Sequence, residues 1–173
     1  TGASQEMLTV FSPERVVALS ANELAELIRP SGYYRVKAQR LLHLLSFFKD
    51  YYGLNLKAML SQPMAKIRAE LLQVKGIGPE TADSILLYAG GYPIFVVDAY
   101  TRRIFSRHGF IRQGCTYEEL QGLFMNALPR DARVYNEYHA LIVRLGKTNC
   151  LSPPRCESCV LKSLGDQTSD LAR

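Results

Sequence analysis

No stretch of this sequence approaches the ~20 consecutive apolar residues that a membrane-spanning helix requires, so no such span is expected. The first residues, Thr1 to Leu8, lack the basic-then-apolar order of a signal peptide, and the cytoplasm is the expected compartment. Alternating apolar and polar residues of the kind that build half-buried strands are missing too, which leaves an all-α class. There is no internal repeat. Histidine is scarce, and His43, His108 and His139 do not form a metal-ligand spacing, so they read as packing or surface residues. Cysteine is limited to four, and in a reducing compartment these are thiols or metal ligands before they are disulfides. Three of them, Cys150, Cys156 and Cys159, crowd into ten residues, whereas Cys115 stands alone in a turn-like stretch as an ordinary thiol.

What is present suffices for a core. With 173 residues and 47% apolar content, the chain can form one or two small lobes and bury roughly 70% of its unfolded surface. A formal net charge of +5 favours polyanionic partners without identifying one. Ser20 and Glu23 form a capping box before a short helix that must stop near Pro30. Val36, Leu41, Leu44, Leu45 and Phe48 recur at helical spacing between Tyr33 and about Tyr51, with Gly53 as the stop. Further helices are expected from Met64 to Gln73, after the capping box Thr116 to Glu119, from Ala99 to His108, and from Asp131 to Leu145, closed by Gly146. Beyond Gly146 the composition turns to Pro, Cys and short polar residues.

The most informative segment runs from Leu71 to Leu86, where Gly76-Ile77-Gly78-Pro79 joins one helix to the next. Glycines at 76 and 78 permit positive φ and a close backbone approach, Ile77 can plug the space between the helices, and Pro79 suits a first helical position. The free amides at the second helix start would suit a phosphate oxygen. Gly76, Ile77, Gly78, Glu80, Thr81 and Lys75 are therefore the expected duplex contacts, with Arg102 as a further one; Arg103 and Lys147 are also placed to reach phosphates.

At this point the chain resembles the endonuclease III branch of the helix-hairpin-helix glycosylases, closest to 3-methyladenine glycosylases. The resemblance rests on the hairpin, the loop Gly90-Gly91-Tyr92-Pro93, and Asp98 twenty residues after Gly78. It extends upstream to Gly32-Tyr33-Tyr34 and Lys37-Ala38, downstream to Gly146 and the cysteines, and covers roughly residues 20 to 165. It implies a fold of two helical lobes with the active-site cleft between them and a C-terminal cysteine loop. On that pattern residues 1–19 are an incomplete part of the outer lobe, 20–130 a helical lobe with the hairpin at about 68–90, 131–164 a terminal helix and cysteine loop, and 165–173 a frayed tail. The partner implied is damaged double-stranded DNA, bound by a monomer with no membrane involvement.

The resemblance makes Asp98 the catalytic carboxylate, stabilising a cation-like sugar and orienting the attacking water. Judged alone, an aspartate at this position is also a good helix N-cap. Relatives that cut the strand carry a lysine two residues after the second glycine, and here that residue is Glu80, which cannot form a Schiff base. The reading is a glycosylase that uses water and acts on an alkylated purine. A DNA-binding module without catalysis and a bifunctional lyase are the alternatives. Tyr33 and Tyr34 are candidates for the base pocket, with Tyr92 and Phe95 as further aromatics that could stack on an extruded base.

No cofactor is needed for this chemistry, though a monovalent cation at the hairpin is one expected occupant. The family's four-iron four-sulfur pattern, Cys-x6-Cys-x2-Cys-x5-Cys, is met only by Cys150-x5-Cys156-x2-Cys159-x5-Gly165, so the fourth ligand is missing. A degenerate loop is the reading, and a bound cluster completed by another ligand the alternative.

Overall fold

A computed structural model of the protein describes residues 12–165, all of whose regular structure is helical. The expected frayed tail, 165–173, therefore lies outside the described residues beyond 165, and the 1–19 segment is described only from Ser12. Among the described residues no helix is long and apolar enough to cross a membrane. The chain divides into two compact units, Thr1–Gly78 and Pro79–Arg173.

In the first unit, α1 (Pro13–Val17) starts at Ser12, whose side chain accepts from the Arg15 amide, and α2 (Ala21–Leu27) starts at the expected Ser20–Glu23 capping box. Pro30 falls in a 3-10 turn, Arg29–Ser31. The long helix α3 is Tyr34–Tyr52: Tyr33 is excluded from it because its φ of 49° is left-handed, and Gly53 closes it at φ 57°. Val16, Leu24, Ala25 and Ala38 form a buried cluster against which Tyr34, Leu41 and Leu45 pack. Two elements carried no periodic signal, α1 and α4 (Leu56–Leu60); each is a five-residue helix too short for a 3.6-residue pattern to repeat. Helix α5 (Met64–Gln73) matches its expected limits.

The second unit opens with α6 (Pro79–Ser84), which runs directly into a π turn, Ile85–Ala89. Such turns widen a helix locally and reorient the side chains on it. After Gly90 and Gly91, the extended run Ile94 to Val97 is buried throughout, and Asp98 begins α7 (Ala99–Arg107). Helix α8 (Tyr117–Ala127) follows the Thr116–Glu119 capping box, and α9 (Ala132–Thr148) is capped by Asp131. Helix α9 packs on α7 and on the π turn. A last short helix, α10, spans Lys162–Gly165.

Gly146 does not end α9, as expected from sequence, but lies inside it. A Cβ there would come within 2.4 Å of the Tyr100 ring, so the glycine serves close packing between two helices rather than termination. Phe95 is likewise corrected. It is fully buried, stacked on Phe124 at 3.9 Å between centroids and edge-on to Tyr135 at 5.7 Å, so it belongs to the core and not to a base pocket.

Candidate active site

The run leading into Asp98 is fixed through its backbone. Asp83 on α6 is completely buried and accepts from Tyr117 Oη at 2.9 Å and from Gln121 Nε2 at 2.8 Å. Gln121 Nε2 also donates to the Phe95 carbonyl at 2.6 Å, and the Val97 amide donates to Tyr117 Oη at 3.3 Å. An extended segment without a partner strand must satisfy its amides and carbonyls elsewhere, and here two side chains of α8 meet that need while gripping one buried carboxylate.

Asp98 is therefore delivered to a defined position, and its two oxygens do different things. Oδ1 caps α7, accepting from the Thr101 amide at 2.7 Å and the Thr101 hydroxyl at 2.8 Å. Oδ2 faces His139 Nε2 at 3.5 Å. The cap and the functional reading of this aspartate are thus compatible, because the cap occupies a single oxygen. The side chain remains 11% exposed. Burial pushes its carboxyl up, but the hydrogen bonds from His139 and Thr101 and the charge of His139 outweigh that, and the group sits below the ordinary aspartate range.

Two further groups feel its charge. Glu80 on α6 lies on the exposed rim; partial desolvation raises its carboxyl, the negative charge of Asp98 adds to the rise, and His139 opposes it. Glu80 is thus an electrostatic neighbour of Asp98, a role its place in the hairpin motif did not announce. Tyr88, carried on the π turn, is half exposed, and its phenol is raised by burial and by Asp98. Its hydroxyl pairs with His139 Nδ1. An open groove of about 660 Å³ passes Tyr88 and His139 and is also lined by Asn136, Arg144 and Lys147.

His139 is the residue that sequence reasoning missed. Its burial agrees with a packing role, but it also lies beside the carboxylate, which its spacing in the sequence does not show. A signal existed: His139 falls in the buried stripe of α9 with Tyr135, Ile142 and Gly146, where a polar residue needs partners.

The hairpin turn is formed as expected, with the Ile77 amide donating to the Val74 carbonyl at 3.0 Å. Ile77 and Ala82 are buried, while Lys75, Gly78, Glu80 and Thr81 are exposed. Gly76 has φ +89°, and a Cβ on it would meet Arg40 at 2.5 Å. Gly78 is different: its φ is not left-handed and its surroundings are open, so the expected conformational need is absent there. The carbonyls of Val74 and Lys75 already accept from the Ile77 amide and His43 Nδ1. Each keeps one lone pair for a cation.

Tyr33 projects into solvent at 88% exposure, whereas Tyr34 packs on the first unit's core with Arg29 and Arg35 about its ring. Arg102, expected to contact phosphate, donates from Nη1 to the Cys115 carbonyl and has further guanidinium N–H donors besides. Arg103 is engaged with the Gly146 carbonyl at 2.8 Å and lies over the Tyr100 ring.

The cysteine loop offers three of the four thiolates of the family's cluster pattern. Cys150, Cys156 and Cys159 line one cavity of about 300 Å³, but among the described residues no three His, Cys, Asp or Glu side chains are grouped to hold a metal. Cys150 Sγ receives Arg107 Nη1 at 3.3 Å, Cys156 is exposed, and the fourth position is Gly165. The loop is braced by protein contacts: Arg107 donates to the Leu151 carbonyl at 2.6 Å, and Asn149 Nδ2 donates to the Ser158 carbonyl at 3.1 Å.

The chain is similar to known DNA repair proteins. A protein of Methanocaldococcus jannaschii named for DNA repair glycosylase activity is 44% identical over 164 residues, covering 91% of this chain and 72% of the relative. Endonuclease III of Thermotoga maritima is 29% identical over 163 residues, 93% of this chain and 71% of its own. Among solved structures, a trapped endonuclease III–DNA covalent intermediate superposes with a TM-score of 0.76 at 26% identity, over 98% of this chain and 76% of that one. The Helicobacter pylori 3-methyladenine DNA glycosylase bound to 1,N6-ethenoadenine gives 0.67 at 28% identity, over 82% and 73%. The family model of the HhH-GPD superfamily base excision DNA repair proteins matches residues 3–130, and the chain belongs to that superfamily, in its endonuclease III-like branch.

Proposed function

We propose that the protein is a monofunctional DNA glycosylase that hydrolyses the bond between deoxyribose and a damaged, alkylated purine, with Asp98 as the catalytic carboxylate. The observation that carries this reading is the division of labour at Asp98, where Oδ1 is saturated by Thr101 and Oδ2 keeps a free lone pair. A carboxylate held anionic in a largely water-excluded setting stabilises a developing sugar cation, and the same oxygen can orient or deprotonate the attacking water. A cationic alkylated base weakens its own glycosidic bond, so little further assistance is required. The turn at 76 to 78 suits a strand phosphate, and the groove cations Arg144 and Lys147 attract the polyanion.

Relatives named endonuclease III favour a second reading, a glycosylase that also cuts the strand. Against it stands Glu80, whose carboxyl offers no amine. A panel of duplexes, each with one damaged base, separates the two. Release followed by breakage only after alkali is expected, strongest on 3-methyladenine, with no borohydride-trapped adduct on abasic DNA. Breakage without alkali would assign the lyase step to another amine.

The hairpin has its own test. Because Gly78 has open space around it, Gly78→Val is expected to leave the urea unfolding midpoint nearly unchanged, within about 0.5 kcal/mol as for other surface changes. Affinity for every duplex sequence should nevertheless fall alike, since phosphate contacts carry no base information. Unaltered affinity would remove the turn from the DNA interface.

A further inference from the structure

We propose that His139, held by the Tyr88 hydroxyl, is a positioning residue for the reaction: it steers Oδ2 of Asp98, the oxygen left to work on the sugar. The proposal rests on the glycosylase reading above and adds to it a second residue from α9 and a third from the π turn.

The partners decide the tautomer. An ionised carboxylate only accepts, so the ring nitrogen facing Asp98, Nε2, carries the proton. With the ring neutral, Nδ1 is an acceptor, and the Tyr88 phenol donates to it. Tyr88 thereby fixes which nitrogen bears hydrogen and how the ring is turned, much as an orienting partner does in other histidine sites. Oδ1 has no capacity left after two bonds from Thr101. His139 is consequently the one described side chain with a nitrogen facing Oδ2.

At 3.5 Å that contact is long, and Nε2 is buried with no closer partner among the described residues. A buried N–H without a good acceptor is costly, and hydrogen bonds of this kind often tighten only when substrate is bound. An aspartate drawn toward His139 as the nucleotide enters would satisfy Nε2 and leave the second lone pair of Oδ2 for the sugar. The arrangement also makes the site sensitive to pH. The titratable groups facing one another are Asp98 at the start of α7, Glu80 on α6, Tyr88 on the π turn and His139 on α9, with Arg144 and Lys147 on the same groove.

The experiment uses the full chain and the variants His139→Leu, His139→Gln and Tyr88→Phe. Single-turnover base release is measured across pH, together with duplex affinity and the carbon-13 carboxyl titration of Asp98. His139→Leu is expected to slow release at least tenfold, to move the acid limb of the pH profile and the Asp98 titration upward, and to leave affinity within twofold. His139→Gln, which returns an N–H, should recover most of the rate and the wild-type acid limb, and Tyr88→Phe should fall between. An unchanged Asp98 titration in His139→Leu would overturn the proposal, as would a folded His139→Gln as impaired as the leucine variant. If His139→Leu does not fold, the glutamine and phenylalanine variants decide by the same titration. A wild-type protein that releases no base from any duplex would sink the glycosylase reading, while the titration still tests the His139 contact by itself.

Discussion

Asp98→Asn is expected to slow base release by roughly 10²–10³-fold, the loss that follows removal of one preorganised electrostatic stabiliser from an active site. Duplex affinity should be retained, because the hairpin and the groove cations are untouched. The substitution is informative because asparagine is as good an N-cap as aspartate. Its side-chain oxygen can keep the bonds from the Thr101 amide and hydroxyl, so unfolding free energy at neutral pH should change by less than about 1 kcal/mol. Asp98→Ala removes the cap as well and should cost about 1 kcal/mol more. The pH dependence separates the two roles further. The folded Asp98 lies below its ordinary range, so it contributes stability above its unfolded value that is lost as pH falls through that value toward the folded one. Asp98→Asn should erase this component of the acid limb of an urea-unfolding series. Retained excision in the asparagine variant would remove Asp98 from the chemistry and leave it a cap.

The parts of this site that could be read from sequence are those whose residue type answers to local backbone geometry. Gly76 is legible because a left-handed φ beside the Arg40 side chain admits little else, and Asp98 because helix starts favour short acceptors. Ser20 and Thr116 declare their helices in the same way, through reciprocal caps. What stayed hidden depends on the fold bringing distant positions together. His139 reaches Asp98 only because α9 packs on α7, and a glycine such as Gly146 looks the same in sequence whether it ends a helix or lets Tyr100 approach one. The carbonyl partners of Arg102 and Arg103 were hidden for a related reason: Cys115 and Gly146 come beside them only in the folded unit.

Phe95→Ala should show how closely the site depends on the core behind it. Phe95 is completely buried, and its ring meets Phe124, Tyr135 and His139, the last at 6.5 Å between centroids. Truncation to alanine removes the transfer free energy of the ring and leaves a cavity, an expected loss of about 3–5 kcal/mol. Against a typical total of about 5–15 kcal/mol this is a large fraction, and the midpoint of urea unfolding should fall accordingly. The effect on function should exceed what stability alone dictates. The Phe95 carbonyl is held by Gln121, the Val97 amide by Tyr117, and Asp98 follows at once, so a cavity here loosens the segment that aims the carboxylate and removes a wall from the His139 ring. Base release measured well below the variant's unfolding midpoint should therefore be slower than wild type, while Phe95→Leu, which fills most of the volume, should regain much of both stability and rate. A variant that loses the stability yet excises at the wild-type rate would mean that Asp98 is placed by its own cap and not by the core beneath it.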